Sequence, residues 1–376
     1  MDTPGLPDPI WVSSQPALVR MLEALSHHPI IAVDTESNSL HAYQEQVCLI
    51  QFSCPAGDYL VDPLAGLDLS PLGDLFADAG IEKIFHAAEY DVICLKRDFN
   101  FRFANLFDTM AAGRILGRTA VGLASMLEQE FNIVLDKHYQ RADWGQRPLK
   151  PAMLAYARLD TYYLRALRDR LKAELINAAR WDLAQEDFKR LCAINGHSLE
   201  NGDGNCWRVN GIQDLDPRRA AVLLELCRYR DARAREANLP VFKVLSNQAL
   251  LEIAQTCPRY VEELDLLPSL SARQVQRHGK GLLSAVKRGQ KAPPPVKPAS
   301  ERINEQLAAR MDALREWRKK TAQDIKVESD VVLPKDVLQA IAEANPACLD
   351  DLAGLMASSP WRFHQYGQKI LKILNR

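Results

Sequence analysis

Apolar and polar positions alternate in short runs over the first hundred residues, and these runs predict strands. They are rich in Val, Ile, Leu and Phe, and the clearest are 31–36, 47–52, 58–62 and 83–86. The runs are compatible with the strands of one mixed or antiparallel sheet. Between and after them, apolar residues recur with helical spacing, which predicts helices at 15–25, 71–76, 87–97, 106–116, 122–131 and 151–175.

The second half of the chain shows only helical spacing, and it contains an internal repeat. A shift of 88 residues aligns Leu226 with Leu314 and Arg230 with Arg318, and the register continues to Leu283 without a gap. A register held over so many positions indicates duplication of one unit. The sequence therefore predicts two small all-helical domains of the same type.

Two stretches have the composition of linkers. Residues 195–205 are polar and rich in glycine, and residues 291–301 are rich in proline, which predicts a semi-rigid, extended spacer. At 376 residues, the chain is long enough for two or three domains. The predicted organisation is a first domain over 1–200, a helical domain over 206–290, a proline-rich linker over 291–301 and a second helical domain over 302–376.

The net charge of −1 conceals an uneven distribution along the chain. Residues 1–204 hold 19 basic and 28 acidic residues, whereas residues 205–376 hold 28 and 20. An acidic half followed by a basic half is typical of a metal-using catalytic unit joined to a part that binds a polyanion. Ordinary surface variation is the alternative explanation.

The eight cysteines are scattered without C-x-x-C pairs or histidines at zinc spacing, so no zinc site is expected. No apolar run approaches the roughly 20 residues that span a bilayer, and the first basic residue is Arg20. We therefore expect neither a membrane segment nor a signal peptide. The cysteines are predicted to be reduced thiols in a cytoplasmic protein.

The strand at 31–36 ends in two carboxylates, Asp34 and Glu36, which point to the same face of the sheet. Two like charges about 6 to 7 Å apart repel each other unless a positive group lies between them, and a divalent cation is the simplest such group. Asp91 follows the strand at 83–86 at the start of a helix, and Asp160 lies on a later helix. Four carboxylates suit a pair of Mg²⁺ or Mn²⁺ ions, which prefer oxygen ligands. Tyr156, one helical turn before Asp160, would orient or help deprotonate the attacking water.

These residues and their surroundings resemble a known family. Asp34-x-Glu36, His86-Ala-Ala-Glu-Tyr-Asp91 and Tyr156-x-x-x-Asp160 look like the three motifs of the DEDDy 3′-to-5′ exonucleases. The flanking segments 107–109 and 143–149 look specifically like ribonuclease D, and the paired helical domains resemble its two HRDC modules. Residues 37–43 are closer to the eukaryotic exosome-associated relatives.

The resemblance implies an α/β ribonuclease H-like exonuclease domain, with a mixed sheet and flanking helices, followed by two all-α HRDC domains. It implies a 3′-to-5′ exoribonuclease that uses two divalent cations and releases nucleoside 5′-monophosphates. RNA with a free 3′ end is the implied partner, with tRNA precursors as the expected substrate class, and no obligate protein partner is evident. Carried over onto this sequence, the metal ligands are Asp34, Glu36, Asp91 and Asp160, and Tyr156 positions the water.

Several further residues are candidates for RNA contacts. In the first domain, Trp144 is a candidate for stacking on a base, or alternatively a packed loop residue, and Arg147 lies beside it. Residues 205–300 carry a net charge of +7, which makes the first helical repeat the better candidate for binding phosphates. Its candidate residues are Arg228, Arg230, Arg233, Arg235 and Lys243. A solvated charged face is the alternative.

Two other functions compete with an RNA exonuclease. A DNA 3′-to-5′ exonuclease of the proofreading or Werner type would use the same metal chemistry, because that chemistry does not involve the 2′-hydroxyl. A scaffold that binds nucleic acid without cleaving it would be favoured by a missing ligand, yet all four acids and the tyrosine are present.

Overall fold

A six-stranded mixed sheet forms the centre of the first part of the chain, in a computed structural model that describes residues 7–196, 206–295 and 305–375. The strand order is β1-β4-β3-β2-β5-β6. The strands are β1 (Ile10–Val12), β2 (Ile30–Ser37), β3 (Val47–Cys54), β4 (Gly57–Val61), β5 (Glu82–Phe85) and β6 (Leu106–Asp108). Strands β2, β3 and β4 are antiparallel neighbours, whereas β1 pairs with β4, β5 with β2, and β6 with β5 in parallel.

Helices cover both faces of this sheet, which explains why its central strands are apolar on both sides. Every residue of β3 from Val47 to Ser53 is buried. The helices of this region are α1 (Gln15–Ser26), α2 (Ser70–Ala77), α3 (Glu89–Phe99), α4 (Thr109–Ile115), α5 (Leu123–Phe131), α6 (Pro151–Tyr162), α7 (Leu164–Asn177) and α8 (Trp181–Ala193).

Three sequence predictions for this region were wrong. The run Leu106–Asp108 was predicted as the start of a helix, but it pairs with β5 as strand β6, and the helix begins only at Thr109, where Asp108 caps it. The helix predicted from 151 to 175 is divided into α6 and α7 at Tyr163. The short strand β1 was missed, because three residues are too few to show a periodicity.

The two helical repeats have the same series of elements. The first contains α9 (Pro217–Ala237), α10 (Val241–Val244), α11 (Asn247–Thr256), α12 (Val261–Asp265) and α13 (Ala272–Lys291). The second contains α14 (Glu305–Ile325), α15 (Ser329–Val332), α16 (Lys335–Ala344), α17 (Leu349–Leu355) and α18 (Pro360–Leu374). The first three helices of each repeat begin and end at positions related by the shift of 88 residues.

The repeat extends to individual hydrogen bonds. Arg230 donates to the Leu245 carbonyl at 3.1 Å, and Arg318 donates to the Leu333 carbonyl at 3.0 Å. Both donor and acceptor are related by the same shift. An arginine on the long first helix of each repeat thus supports the residue that follows the short second helix.

Contacts divide the chain into two units, and the repeats fall into different ones. The first unit holds residues 1–37, 47–197 and 302–376, and therefore contains the sheet and the second repeat. The second unit holds residues 38–46 and 198–301, and therefore contains the first repeat and the loop between β2 and β3. In that unit, Tyr43 of the loop donates to Asp231 at 2.7 Å and accepts from Arg235 at 3.2 Å. The predicted domain boundaries at 200, 206, 290 and 302 stay predictions, and most of both predicted linkers lies outside the described residues.

Within the first unit, a buried ion pair joins the second repeat to helix α8. The Arg362 guanidinium is completely buried and lies 2.5 Å from Glu186 and 2.7 Å from Asp187. It also donates to the Val331 carbonyl at 2.7 Å. A charge so deeply buried is tolerated only when it is paired and hydrogen-bonded, so this contact fixes the second repeat in one position on α8.

The prediction that all eight cysteines are reduced was wrong for one pair. Cys206 and Cys227 form a disulfide in the first repeat, with their Cα atoms 6.0 Å apart. The other six are free thiols. Among the described residues, no helix is both long and apolar enough to cross a membrane.

Candidate active site

Three carboxylates converge at the end of β2. Asp34 and Glu36 lie two residues apart on the strand, and a register shift after Glu36 ends its regular pairing with β3. Helix α6 packs against the same strands and brings Asp160 to them. One carboxylate oxygen from each of Asp34, Glu36 and Asp160 lies within 4.8 Å of the others. The structure therefore brings together three of the four predicted metal ligands.

Asp91, the fourth predicted ligand, lies near these three carboxylates but is not one of those within 4.8 Å of one another. It lies in the first turn of α3, is buried, and accepts a hydrogen bond from the Thr35 hydroxyl. Its charge nevertheless acts on Asp34 and Glu36 and raises their pKa values. Thr35 was not predicted from the sequence as a functional residue. Its position between Asp34 and Glu36 was the only available signal.

The acids repel one another and are partly withdrawn from solvent. Burial is the main cause that raises the pKa of each of them, and it brings the pKa of Asp91 and of Asp160 to about 7. The pKa values of Asp34 and Glu36 are also raised well above their ordinary range, by burial and then by the neighbouring carboxylates. Perturbed carboxyl groups clustered in this way are typical of functional sites.

Asp108 holds the start of α3 in place. Its carboxylate accepts hydrogen bonds from the backbone amides of Ala87 and Ala88 at 3.1 and 2.8 Å, and from Met110 at 2.7 Å in α4. Ala87 has a left-handed backbone with φ of 62°. Asp108 therefore caps α4 and also fixes the turn that precedes Asp91.

His86, which directly follows β5, is a hydrogen-bonded residue beside the site. Its Nδ1 lies 2.9 Å from the Thr109 hydroxyl, and burial lowers its pKa. It is not among the carboxylates that converge on β2.

Tyr156 lies on α6 one turn before Asp160, as predicted. Burial, and then the charges of Asp160, Glu36 and Asp34, raise the pKa of its phenol. A phenol with a raised pKa is able to donate a hydrogen bond at neutral pH. Of the two roles predicted for Tyr156, orientation of water suits a donor, and both roles stay predictions.

Trp144 is packed within the protein, which agrees with the alternative predicted for it and not with stacking on a base. Its side chain is 1% exposed and belongs to an apolar cluster with Leu49, Leu60 and Ala157. Its ring centroid lies 6.1 Å from that of Tyr156. Both faces of the indole are therefore covered by protein, and Trp144 packs against the ring of Tyr156.

Arg147 was predicted to contact RNA, but its donors are used within the protein. The guanidinium forms two hydrogen bonds to Asp62, at 2.6 and 2.9 Å, and one to the Cys48 carbonyl at 2.6 Å. It also donates to the carbonyls of Trp144 and Gln146 at 2.8 and 2.7 Å. All five donors of the side chain are thus occupied, and Arg147 fastens the loop before α6 to the sheet.

The basic residues predicted to bind RNA in the first repeat fall into two groups. Arg230 is buried and bonded to the Leu245 carbonyl and to Asn247, so it supports the fold and does not reach a phosphate. The others lie on the surface of the second unit and form local contacts. Three arginines form ion pairs: Arg228 with Glu225, Arg233 with Glu236 and Arg235 with Asp231. The Nζ atom of Lys243 lies 3.4 Å from Nδ1 of His41.

Family comparisons match both parts of the chain. The 3′-5′ exonuclease family model matches residues 9–176, and the HRDC domain model matches residues 219–286 and 308–374. A ribonuclease D of a Jannaschia species is 32% identical over 364 residues, which cover 92% of this chain and 90% of that protein. The exosome complex exonuclease RRP6 of Saccharomyces cerevisiae is 32% identical over 294 residues, 74% of this chain and 40% of that protein.

A solved structure agrees with these matches over the whole chain. The crystal structure of Escherichia coli RNase D, an exoribonuclease involved in structured RNA processing, has a TM-score of 0.70 and 26% sequence identity. The alignment covers 98% of this chain and 99% of the other. The predicted fold class, a mixed sheet with flanking helices followed by helical HRDC domains, is confirmed.

Proposed function

Since the chain belongs to the ribonuclease D family of 3′-5′ exonucleases, we propose that it hydrolyses RNA from the 3′ end by two-metal-ion catalysis and releases nucleoside 5′-monophosphates. The convergence of Asp34, Glu36 and Asp160 within 4.8 Å is the observation that carries the metal site. Precursors of transfer RNA are the substrate class we propose.

The residues present suit hard divalent cations. The donor set consists of carboxylate oxygens, which Mg²⁺ and Mn²⁺ prefer. Burial raises the pKa values of Asp34 and Asp160, and neighbouring carboxylates raise that of Asp34 further, so a bound cation would favour the charged forms. Asp34, Glu36 and Asp160 would hold the cations, with Asp91 completing the set from α3. Bound divalent cations would supply an activated water and charge compensation for the leaving oxygen of the phosphodiester.

The protein's own groups prepare the site for that chemistry. Tyr156, as a phenol one helical turn before Asp160, would donate a hydrogen bond to the attacking water and orient it. Thr35 holds Asp91 against β2. The indole of Trp144 covers one side of the Tyr156 ring and limits its motion. Water adds to phosphorus and the bond between phosphorus and the 3′ oxygen breaks. The 3′ oxygen stays on the shortened strand as a hydroxyl, and the phosphate stays on the 5′ oxygen of the released nucleotide.

The test is digestion of matched single strands of RNA and DNA, labelled at the 5′ or the 3′ end, with Mg²⁺ or Mn²⁺. Stepwise shortening of 5′-labelled RNA from its 3′ end, loss of this activity in Asp160→Asn and slower digestion of DNA would support the proposal. Equal or faster digestion of DNA would instead favour the DNA exonuclease. A tRNA precursor with a 3′ extension, compared with an unstructured RNA of equal length, tests the substrate class.

A further inference from the structure

Gln51 is a buried amide beside the acidic site, and its side chain has no partner among the described residues. It lies on β3, is completely buried, and neither its side-chain oxygen nor its nitrogen forms a hydrogen bond. Leaving a buried amide unpaired is costly, so such a group calls for an explanation. Gln51 lies outside the acidic motifs and outside the segments that resemble ribonuclease D.

The strand register places Gln51 directly opposite Asp34. Gln51 has one directly opposite residue on each neighbouring strand. Asp34 of β2 is opposite Gln51 in one antiparallel pair, and Leu60 of β4 is opposite Gln51 in the other. Directly opposite side chains lie on the same face of the sheet with Cβ atoms about 4.5–5.5 Å apart. Leu60 offers no acceptor. Of the two cross-strand neighbours, only Asp34 is able to accept a hydrogen bond from the amide.

Helix α6 covers this face of the sheet. Ser53, two residues along β3 and on the same face as Gln51, is bonded to Thr161 of α6 at 2.7 Å. Thr161 is the neighbour of Asp160 in sequence. Gln51 is therefore enclosed by the two elements that supply Asp34 and Asp160, and no open solvent is available to satisfy its amide.

We infer that Gln51 is a positioning residue whose side-chain amide donates a hydrogen bond to the Asp34 carboxylate when Asp34 binds a divalent cation. The inference rests on the proposed metal site. A carboxylate that binds a metal is usually hydrogen-bonded as well, through the oxygen that does not contact the metal. This bond fixes the orientation of the carboxylate. A neutral amide suits the role, because a lysine would compete with the cation and an acid would add to the repulsion among the carboxylates.

A stability measurement separates this role from a purely structural one. In metal-stripped protein the amide is an unpaired buried group, so Gln51→Met, which is similar in volume and has no hydrogen-bonding groups, should raise the melting temperature by about 2–4 °C. The same substitution should weaken Mn²⁺ binding by about 10–100-fold, measured by calorimetry on the full chain. Opposite effects on stability and on metal affinity are the expected signature.

Ser53→Ala is the matched control. Ser53 is a buried polar residue on the same face of the same strand, but its hydroxyl is already bonded to Asp58 and Thr161. Its removal should lower the melting temperature and leave Mn²⁺ affinity unchanged. Gln51→Leu serves as a second variant that removes the amide, in case Gln51→Met fails to fold.

Asp34→Asn separates failure of the inference from failure of the proposed function. Equal Mn²⁺ affinity in wild type and Gln51→Met, with weakened binding in Asp34→Asn, would overturn the role of Gln51 and leave the metal site standing. No Mn²⁺ binding by the wild type would overturn both. A weakened affinity in Gln51→Met together with an unchanged affinity in Ser53→Ala would support the inference.

Discussion

The Thr35 hydroxyl donates a hydrogen bond to the Asp91 carboxylate and thereby ties the first turn of α3 to the strand that carries Asp34 and Glu36. This bond also favours the charged form of Asp91, since it lowers a pKa that burial raises. A single side chain thus links the acid on the helix to the two acids on the strand.

Replacing Thr35 tests that link. Thr35→Val keeps the shape of the side chain but removes the donor, so we expect about a 10- to 150-fold loss of kcat/KM at neutral pH, which corresponds to a hydrogen bond of about 1.5–3 kcal/mol to a charged group. The loss should diminish at higher pH, where Asp91 is ionised without help. Thr35→Ser, which keeps the hydroxyl, should retain most of the activity. A pH-independent loss would mean that Thr35 acts only through packing.

Neutralising one acid should separate activity from stability. Asp160→Asn should abolish hydrolysis and leave RNA binding largely in place, because the basic residues of the first repeat are untouched. The same substitution should raise the melting temperature of metal-stripped protein at pH 8, since it removes one of the charges that repel Asp34 and Glu36. Full activity in Asp160→Asn would refute the assignment of this residue as a ligand.

The stability of the metal-stripped protein should fall as pH rises towards neutrality. The folded pKa values of Asp91 and Asp160 are about 7, whereas an aspartate in an unfolded chain has a pKa of about 3.9. Between these values the folded state binds more protons than the unfolded state, so the stability these acids contribute below about pH 4 is lost by about pH 7.

Melting temperatures at pH 5 to 8 in the presence of a chelator measure this dependence. Asp160→Asn should show a shallower decline than the wild type, because it lacks one titrating group. Addition of Mn²⁺ should reduce the decline and release protons, which calorimetry in buffers of different ionisation enthalpy detects. Parallel curves for wild type and Asp160→Asn would contradict the shift in pKa.

The buried contact of the second repeat predicts a large effect of one arginine. Arg362→Met leaves Glu186 and Asp187 without their buried partner, and we expect a loss of about 3–5 kcal/mol in the free energy of unfolding. Arg315→Met is the control, since Arg315 pairs with Asp312 in an exposed position, and it should cost less than about 1 kcal/mol. Chemical denaturation provides the comparison; similar costs would show that the Arg362 pair is not a structural anchor.

Binding of RNA phosphates by the first repeat is testable with its exposed arginines. Arg233→Gln together with Arg235→Gln should weaken RNA binding and lower the slope of log affinity against log salt by about 1 for each lost phosphate contact. Arg315→Gln on the second repeat is the control and should leave the slope unchanged. An unaltered slope in the double variant would assign these arginines to the local pairs they form with Glu236 and Asp231.

Periodicity and motif spacing alone indicated the central strands, most helices and the duplicated helical domain. These features depend on local patterns: alternation along a strand, apolar residues on one helical face, and a repeat of 88 residues that even places Arg230 and Arg318 in equivalent positions. The acidic motifs were visible for the same reason, since Asp34 and Glu36 are two residues apart and Tyr156 and Asp160 are four apart.

The tertiary structure decided which side chains remain available for chemistry. Trp144 and Arg147 are residue types that often contact RNA. In the folded protein, however, Trp144 packs against Tyr156 and Arg147 pairs with Asp62. The strand register places Gln51 opposite Asp34, and helix packing brings Arg362 to Glu186. Such partners are selected by strand register and helix packing, which depend on the whole core and leave no signal in the local sequence.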